Sequence, residues 1–276
     1  MSIILVVRAA MSFIIESIPA FKDNYSFIIG DKDLGLAVAV DPSDGEAILN
    51  VLNKQDLFLA LILNTHHHAN HVTGNEKLYQ EFGAPIIAPA KEQNRIPNVA
   101  RGVGDGDIVS FSTLRATVIE TSGHTMGHVS YYFPQIDALF SGDALFSLGC
   151  GKPSGGDPVR AWESIKKLRE LPNETLVYFG HECSEDNAKL ALMLDKDNPD
   201  LQRIAEKISI ARAKGQPTVP TTIGEQKLAN PFMRVDDKAF RENLQKLSFA
   251  PADAEPAAVF GKLCLARAKL TYPDPV

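Results

Sequence analysis

The sequence predicts an α/β fold in which strands and helices alternate through residue 183 and a helical segment follows. Three observations support this prediction. Apolar runs of strand length, bounded by turn residues, alternate with segments whose apolar residues recur at helical spacing. One such run, residues 57–63, leads directly into a histidine-rich stretch. From Ser184 onward no further run of strand type occurs, and the apolar pattern is helical.

The composition is that of an ordinary globular protein, and it excludes several classes of function. The 276 residues are 45% hydrophobic and 22% charged, and the net charge of −6 argues against a nucleic-acid partner. The apolar runs are shorter than a membrane span, so we expect no membrane segment. The three cysteines, Cys150, Cys183 and Cys264, are far apart and odd in number, which predicts no disulfide framework and a cytoplasmic location. We expect a monomer whose fold begins at Met11.

The first half of the chain predicts four strands and one helix before the histidines. The strands cover residues 13–18, 25–29, 35–40 and 57–63. A turn-rich link that contains Pro19 and Asn24 joins the first two strands. The helix begins at Ser43 and continues through Leu52, with Ile48 and Leu52 on one face.

Residues 65–71 carry four of the seven histidines, namely His66, His67, His68 and His71. Alternate residues of an extended segment point the same way, so His66 and His68 can face one ion together. His71 lies where a helix could begin and can turn back toward the same point. Because a solvated loop does not need four imidazoles after a buried strand, we predict a metal site here.

The remaining segments predict strands that end in polar residues, and then helices. The strands cover residues 85–88, 107–111, 114–120, 129–133, 138–141 and 175–179. The helices cover residues 74–82, 157–171, 200–214, 225–228, 238–247 and 254–269. His124, Asp143 and His181 each follow a predicted strand. A carboxylate at the tip of a buried strand needs a partner, and a metal ion is the natural partner of Asp143.

Four segments resemble the metallo-β-lactamase superfamily. Residues 65–71 resemble its signature T-H-x-H-x-D-H, and residues 121–128 resemble T-x-x-H-T-x-G-H. Gly142 and Asp143 occupy the place of the bridging aspartate, and residues 180–182 resemble the segment G-H-E.

Other segments narrow the resemblance to glyoxalase II, the hydroxyacylglutathione hydrolases. Residues 149–152, Gly-Cys-Gly-Lys, resemble the family's G-C-G-[KR] loop, and residues 230–234 resemble N-P-F-[ML]-R. Residues 18–25 resemble the family's opening. The resemblance implies a metallo-β-lactamase αββα sandwich followed by a C-terminal helical domain. We predict a metal-binding domain over residues 11–183 and a helical substrate-binding cap over residues 184–276.

The resemblance also implies a ligand set. The matched residues are His66, His68 and His124 for one ion, and Asn70, His71 and His181 for the other. Asp143 bridges the two ions and is the residue that we place in catalysis. Imidazole and carboxylate donors predict zinc, as one or two ions per chain, with iron or manganese as alternatives. In the family a metal-bound hydroxide attacks the thioester carbonyl of an acyl-glutathione such as S-lactoylglutathione, which gives a hydroxy acid and a free thiol.

The sequence departs from the family pattern at one ligand of the second metal ion and at two residues that bind the thiol carrier. Asn70 stands where the family has an aspartate, so the site carries one negative charge fewer. Ser154 and Cys183 stand where the family has tyrosines that hold glutathione.

The substrate carboxylate is expected to bind to three basic residues, Lys152, Arg267 and Lys269. Lys152 and Lys269 match family positions, whereas Arg267 is adjacent to the family's arginine position, which is Ala266 here.

Two alternatives to the thioester hydrolase stay open from sequence. One is a sulfur dioxygenase of the same superfamily with a single iron. The other is a degenerate member that binds a thiol conjugate without turnover, which Asn70 and the missing tyrosines would explain.

Overall fold

The computed structural model describes residues 13–153 and 157–271, which form two facing six-stranded sheets with helices outside them. The predicted start at Met11 and the position of Ser154 lie outside these residues. The first sheet contains β1 Phe13–Ala20, β2 Asn24–Asp31, β3 Leu36–Val40, β4 Phe58–Leu63, β5 Ile86–Pro89 and β6 Val99–Val103, in that order. The second contains β7 Ile108–Phe111, β8 Leu114–Glu120, β9 Val129–Phe133, β10 Ala138–Gly142, β11 Leu176–Phe179 and β12 Thr221–Thr222, also in order.

The first sheet is covered on its outer face by two helices, α1 Gly45–Gln55 and α3 Asn75–Phe82, and the short α2 Ala69–Val72 lies between them in sequence. Ile48 of α1 and Leu78 of α3 are fully buried against Ile28 and Ile62 of the sheet. Strands β3 to β6 run parallel, which is why their connections cross over through helices or long loops. Buried residues on both faces of β2, β3 and β4 account for the continuous apolar runs seen in the sequence.

Aromatic rings fill the space between the two sheets. The ring centroid of Phe27 on β2 lies 5.5 Å from those of Phe140 on β10 and Tyr178 on β11, and both pairs meet edge to face. Such pairs stabilise by about 0.5–1.5 kcal/mol beyond the area that they bury. The two sheets therefore hold a fixed separation, which sets how far apart their ends lie.

The second sheet packs on its outer side against α4 Pro158–Arg169, whose Trp162, Ile165 and Leu168 are buried in the same core. This layering confirms the predicted metallo-β-lactamase αββα sandwich. The remaining helices are α5 Ser184–Asp195, α6 Pro199–Ala213, α7 Ile223–Ala229, α8 Lys238–Lys246 and α9 Pro256–Thr271. None of the helices that the structure describes has the length and apolar character needed to cross a membrane.

Besides the short α2, three elements were not predicted from sequence. Strand β6 is an edge strand whose middle residues are exposed, so it carries no apolar run. Helix α5 begins with Ser, Glu, Asp and Asn, a polar first turn that hides its apolar face. Strand β12 has two residues and pairs with β11, so residues after 184 add an edge to the second sheet.

The strands β4, β8, β10 and β11 stop at the same end of the sandwich. Gly142 ends β10 with φ +48°, and a Cβ there would lie 2.3 Å from the Thr65 hydroxyl and 2.8 Å from His128 Nε2. Only glycine fits this approach without moving the loop after β4. Because β10 and β4 end side by side, the residues that follow them meet.

Candidate metal centre

Four strand ends bring the sequence-predicted ligands together. The loop after β4 carries His66, His68 and His71, and the loop after β8 carries His124. Asp143 follows β10 and His181 follows β11. Their potential ligand atoms form two groups, in each of which all atoms lie within 4.8 Å of one another.

The first group consists of His66, His68 and His124. His68 Nδ1 lies 3.1 Å from His66 Nε2 and 2.9 Å from His124 Nε2. Ring nitrogens that face one another this closely share either a proton or a cation between them.

The second group consists of His71, Asp143 and His181. His71 Nε2 lies 3.2 Å from His181 Nε2, and Asp143 Oδ1 lies 3.4 Å from His71 Nε2. Asp143 Oδ2 is 3.3 Å from His181 Nε2 and also 3.3 Å from His124 Nε2. The carboxylate of Asp143 therefore stands between the two groups and touches both.

Asn70 lies beside the second group, at the start of α2. Its side-chain amide is 3.2 Å from His181 Nε2. Its backbone carbonyl is fixed by the Asn24 amide at 3.0 Å and the Ser43 hydroxyl at 2.6 Å. An amide rotated by 180° would present its oxygen at the same place, because the two ends of the group have nearly the same shape.

The tautomers of four histidines are set by acceptors on their outer sides. His71 Nδ1 faces Asp41 Oδ2 at 3.1 Å, and His181 Nδ1 faces Asp23 Oδ1 at 3.2 Å. His124 Nδ1 donates to the carbonyl of Lys152 at 3.0 Å.

The tautomer of His66 is set in the same way, but through a hydroxyl. Its Nδ1 faces Thr65 Oγ1 at 3.0 Å, and that hydroxyl donates to Asp41 Oδ2 at 2.6 Å, so it accepts from the ring. In these four rings Nδ1 faces an outer acceptor, so Nε2 is the nitrogen that faces the centre. This is the arrangement that proteins use to orient metal-binding imidazoles.

One oxygen of Asp143 indicates that these residues suit a metal ion. Asp143 is 5% exposed, and its Oδ1 atom makes no hydrogen bond with any residue that the structure describes. A buried carboxylate oxygen without a partner is costly. A divalent cation between lone pairs of imidazoles and this oxygen satisfies both, so the residues fit a metal centre.

The protonation of the first group suits metal binding. Burial lowers the pKa of His66 well below its ordinary value and lowers the pKa of His68 to about 4. Burial also lowers the pKa of His124. Near neutral pH these rings are neutral, which is the state that binds a metal.

The second group favours positive charge. Burial opposes ionisation of Asp143, but the imidazoles of His181 and His71 hold the pKa of its carboxyl well below the usual value. Burial acts against the charged form of His181, yet Asp143 and Asp23 raise its pKa to about 10. Two carboxylates around one imidazole thus attract a cation to this position.

A cleft of about 460 Å³ opens above the centre. Asn70, His124, Asp143 and His181 lie at its base. Its walls include Phe146, the loop residues 150–152, Cys183, and Cys264 and Arg267 of α9. A ligand in this cleft would contact both the metal-binding residues and the last helix.

The three basic residues predicted to bind substrate have different positions. Lys152 is exposed and lines the cleft. Arg267 also lines it, but its Nε–H donates to Asn187 Oδ1 at 2.7 Å and its guanidinium lies 5.4 Å from the ring centroid of Phe146. Lys269 is exposed and is not among the described residues that line the cleft.

Comparisons with known proteins agree with this geometry. Residues 42–181 match the model of the metallo-beta-lactamase superfamily, and residues 182–270 match that of the hydroxyacylglutathione hydrolase C-terminus. A hydroxyacylglutathione hydrolase of Maricaulis maris (strain MCS10) is 45% identical over 84% of this chain and 90% of its own length. The chain belongs to the hydroxyacylglutathione hydrolase family. A second hydroxyacylglutathione hydrolase, of Chelativorans sp. (strain BNC1), is 43% identical over 85% of this chain and 92% of its own length.

The solved structures extend the likeness beyond the family. The B3 metallo-beta-lactamase BLEG-1 covers 80% of this chain with 99% of its own, at a TM-score of 0.62 and 25% identity. Membership in the hydroxyacylglutathione hydrolase family, which includes the helical C-terminal part, favours the hydrolase over the dioxygenase and over a member without turnover.

Three acidic residues that hold the ligands in place were not predicted from sequence. Asp41 and Asp23 orient His71 and His181, as described above. Both follow or join predicted strands, which is the same signal that identified Asp143.

Glu92 is the third, and it ties together the two loops that carry the first group. It is 4% exposed and lies after β5. Its Oε2 accepts from the backbone N–H of His67 at 2.9 Å and from His67 Nδ1 at 2.7 Å. Its Oε1 accepts from the N–H of Gly127 at 2.9 Å. His67 is flanked by His66 and His68, and Gly127 is three residues beyond His124, so one carboxylate sets the distance between the loops.

We expect Glu92→Gln to weaken metal binding by about tenfold, as loss of a group that orients metal ligands typically does. The amide replaces one oxygen with a donor, which then faces the N–H of either His67 or Gly127. Competition with a chromophoric chelator measures the affinity, and Glu163→Gln on the exposed face of α4 is the matched control. Equal affinities in the two variants would contradict this role.

Proposed function

We propose that this protein hydrolyses the thioester of an acyl-glutathione such as S-lactoylglutathione to a hydroxy acid and free glutathione. The observation that carries the proposal is the carboxylate of Asp143, which lies between two histidine groups at the base of a cleft. The relatives named hydroxyacylglutathione hydrolase, at 43–45% identity over most of their length, supply the substrate class.

The donor set assigns each residue a part. We propose that His66, His68 and His124 hold one ion, and that Asn70, His71 and His181 hold a second. Asp143 would bind both and fix their separation. Divalent metal use follows from the fold and the clusters of histidine and aspartate, and we propose zinc because imidazole and carboxylate donors suit it, with iron or manganese as alternatives. When bound, such ions lower the pKa of a water molecule toward about 7 and polarise the carbonyl under attack.

The chain itself needs no protein nucleophile and no dedicated acid for this reaction. A thiolate whose parent thiol has a pKa of about 8.5 leaves readily without protonation. Cys183 is next to the cleft, but burial raises the pKa of its thiol to about 11, so it stays protonated at neutral pH. The residues of the chain therefore position the thioester and the ligands, and they keep His66, His68 and His124 unprotonated.

The two predicted domains would have different roles in the reaction. We propose that residues 11–183 carry the metal centre and that residues 184–276 form a cap that binds the thiol carrier. Arg267 and Ala268 of α9, which line the cleft, support this division. We also expect a cytoplasmic monomer.

A direct assay tests the function. Purified protein should release free thiol from S-lactoylglutathione, lose at least about 100-fold of kcat/KM after chelation, and regain it with added zinc, because bound metal supplies several kcal/mol of transition-state stabilisation. Full metal occupancy without thioester hydrolysis would contradict the proposal.

If Lys152 binds the substrate carboxylate, its removal should affect substrate binding alone. Lys152→Ala should raise KM about threefold to tenfold and leave kcat within about twofold, because an exposed charge pair contributes equally to the ground and transition states. Lys54→Ala, at the end of α1, is the control. An unchanged KM in both Lys152→Ala and Lys269→Ala would remove the role of these lysines.

The presence of Asn70 in place of an aspartate predicts that the second ion is bound weakly. In the second group Asp143 supplies the one full negative charge among the proposed ligands, and a carbonyl dipole does not replace a carboxylate. Asn70→Asp should raise both the metal content per chain and the thioesterase activity at limiting metal. Asn53→Asp, an exposed change of the same charge on α1, should raise neither. Two tightly held ions in the unmutated protein, with no gain in Asn70→Asp, would show that the amide ligates adequately.

A further inference from the structure

Asp23 places a second carboxylate on the cleft, outside the set of proposed metal ligands. It lies in the turn between β1 and β2 and lines the cleft, and its side chain is 47% exposed. Among the described residues that line the cleft, the other acidic residue is Asp143, which is buried between the two histidine groups. Asp23 is therefore an acidic side chain that a bound substrate can meet without displacing a metal ligand.

Hydrogen bonds on both sides of His181 fix the position of Asp23. Its Oδ1 atom lies 3.2 Å from His181 Nδ1, and its backbone carbonyl accepts from the N–H of Glu182 at 2.7 Å. The N–H of Tyr25 donates to the Gly180 carbonyl at 2.9 Å, so the turn is joined to the residues before and after His181. Within the described part of the chain, Oδ1 alone of the two carboxylate oxygens has a hydrogen-bond partner. The other oxygen, Oδ2, is an acceptor held in place beside the cleft.

The charges along the cleft indicate which part of a substrate meets Asp23. The backbone of Lys152 lies behind His124, a ligand of the first group, whereas Asp23 lies behind His181 of the second. The cleft therefore has a basic residue beside one group and an acidic residue beside the other. A carrier of the glutathione type has a net negative charge, so Asp23 repels it while Lys152 and Arg267 attract it. The acyl group is the part that is left facing Asp23.

One imidazole ring separates Asp23 from the carboxylate of Asp143, since His181 contacts both. A thioester whose carbonyl lies at the centre places the substituents of the next carbon near this ring. An ionised carboxylate only accepts hydrogen bonds, so it gains from a hydroxyl there and not from a hydrogen atom. We propose that Asp23 sets a preference for 2-hydroxyacyl groups by accepting a hydrogen bond from the hydroxyl on the carbon next to the thioester carbonyl. This inference rests on the proposed function and names the residue that recognises the acyl group.

Asp23 also orients His181, and the two roles differ in the substrates that they affect. Orientation of a metal ligand acts on every thioester alike, and so would a contact between Asp23 and the shared carrier. A contact with the hydroxyl acts on a 2-hydroxyacyl thioester and not on its deoxy counterpart. A change in the ratio of the two kcat/KM values therefore reports the hydroxyl contact.

Metal-loaded protein is assayed with S-lactoylglutathione and S-propionylglutathione, which differ only in the 2-hydroxyl. Asp23→Ala should lower the ratio of kcat/KM for the lactoyl over the propionyl thioester by about tenfold, because a hydrogen bond to a charged acceptor is lost. Asp23→Asn keeps an oxygen for His181 and should lower the ratio by a smaller factor. Asp41→Asn is the matched control, since Asp41 orients His71, is 2% exposed and is not among the described residues that line the cleft. It should lower both kcat/KM values by the same factor.

A ratio in Asp23→Ala within about twofold of that of the unmutated protein would overturn the inference. The proposed function would then stand, because both thioesters are still cleaved. An equal fall of the ratio in Asp41→Asn would also overturn it, since ring orientation would then explain the effect. If Asp23→Ala does not fold, an unchanged ratio in Asp23→Asn counts against the inference in the same way. Unmutated protein that cleaves neither thioester would refute the proposed function, and this inference with it.

Discussion

The structure depends on one buried carboxylate that faces imidazoles from three different loops. Asp143 contacts His71, His124 and His181, and it has an oxygen without a hydrogen bond among the described residues. Because an unpaired buried charge is costly, the fold has to supply positive charge at this point. The parallel pairing of β10 with β11, and the glycine that ends β10, bring the carboxylate there.

The ring orientations around the carboxylate are fixed from outside. Asp41, Asp23 and the Lys152 carbonyl accept the Nδ1 protons of His71, His181 and His124, so the Nε2 atoms face the centre before any ion arrives. Such preorganisation reduces the entropy lost on binding and fixes which ring nitrogen faces the ion. The same outer partners connect the centre to both sheets, because Asp41 follows β3 of the first sheet and Lys152 lies in the loop after β10 of the second.

Much of this arrangement follows from sequence, and the limit has a physical cause. The layered fold follows from apolar runs in β2, β3 and β4, which are buried on both faces, and the family follows from short motifs that keep their spacing. Residues that act through another residue, such as Glu92, carry no such pattern, because the partner His67 is 25 positions away and meets it only in the folded chain. Strand β6 and helix α5 could not be predicted from sequence for a related reason. Their stability comes from tertiary pairing rather than from a local apolar period.

The measurement that tests the central claim most directly is elemental analysis of the protein and of Asp143→Asn, both purified without added metal. The account predicts at least one divalent ion per chain in the unmutated protein and a clear loss in Asp143→Asn, with folding intact by circular dichroism. Equal metal content in the two proteins, or an unmutated protein that is fully active without metal, would contradict it.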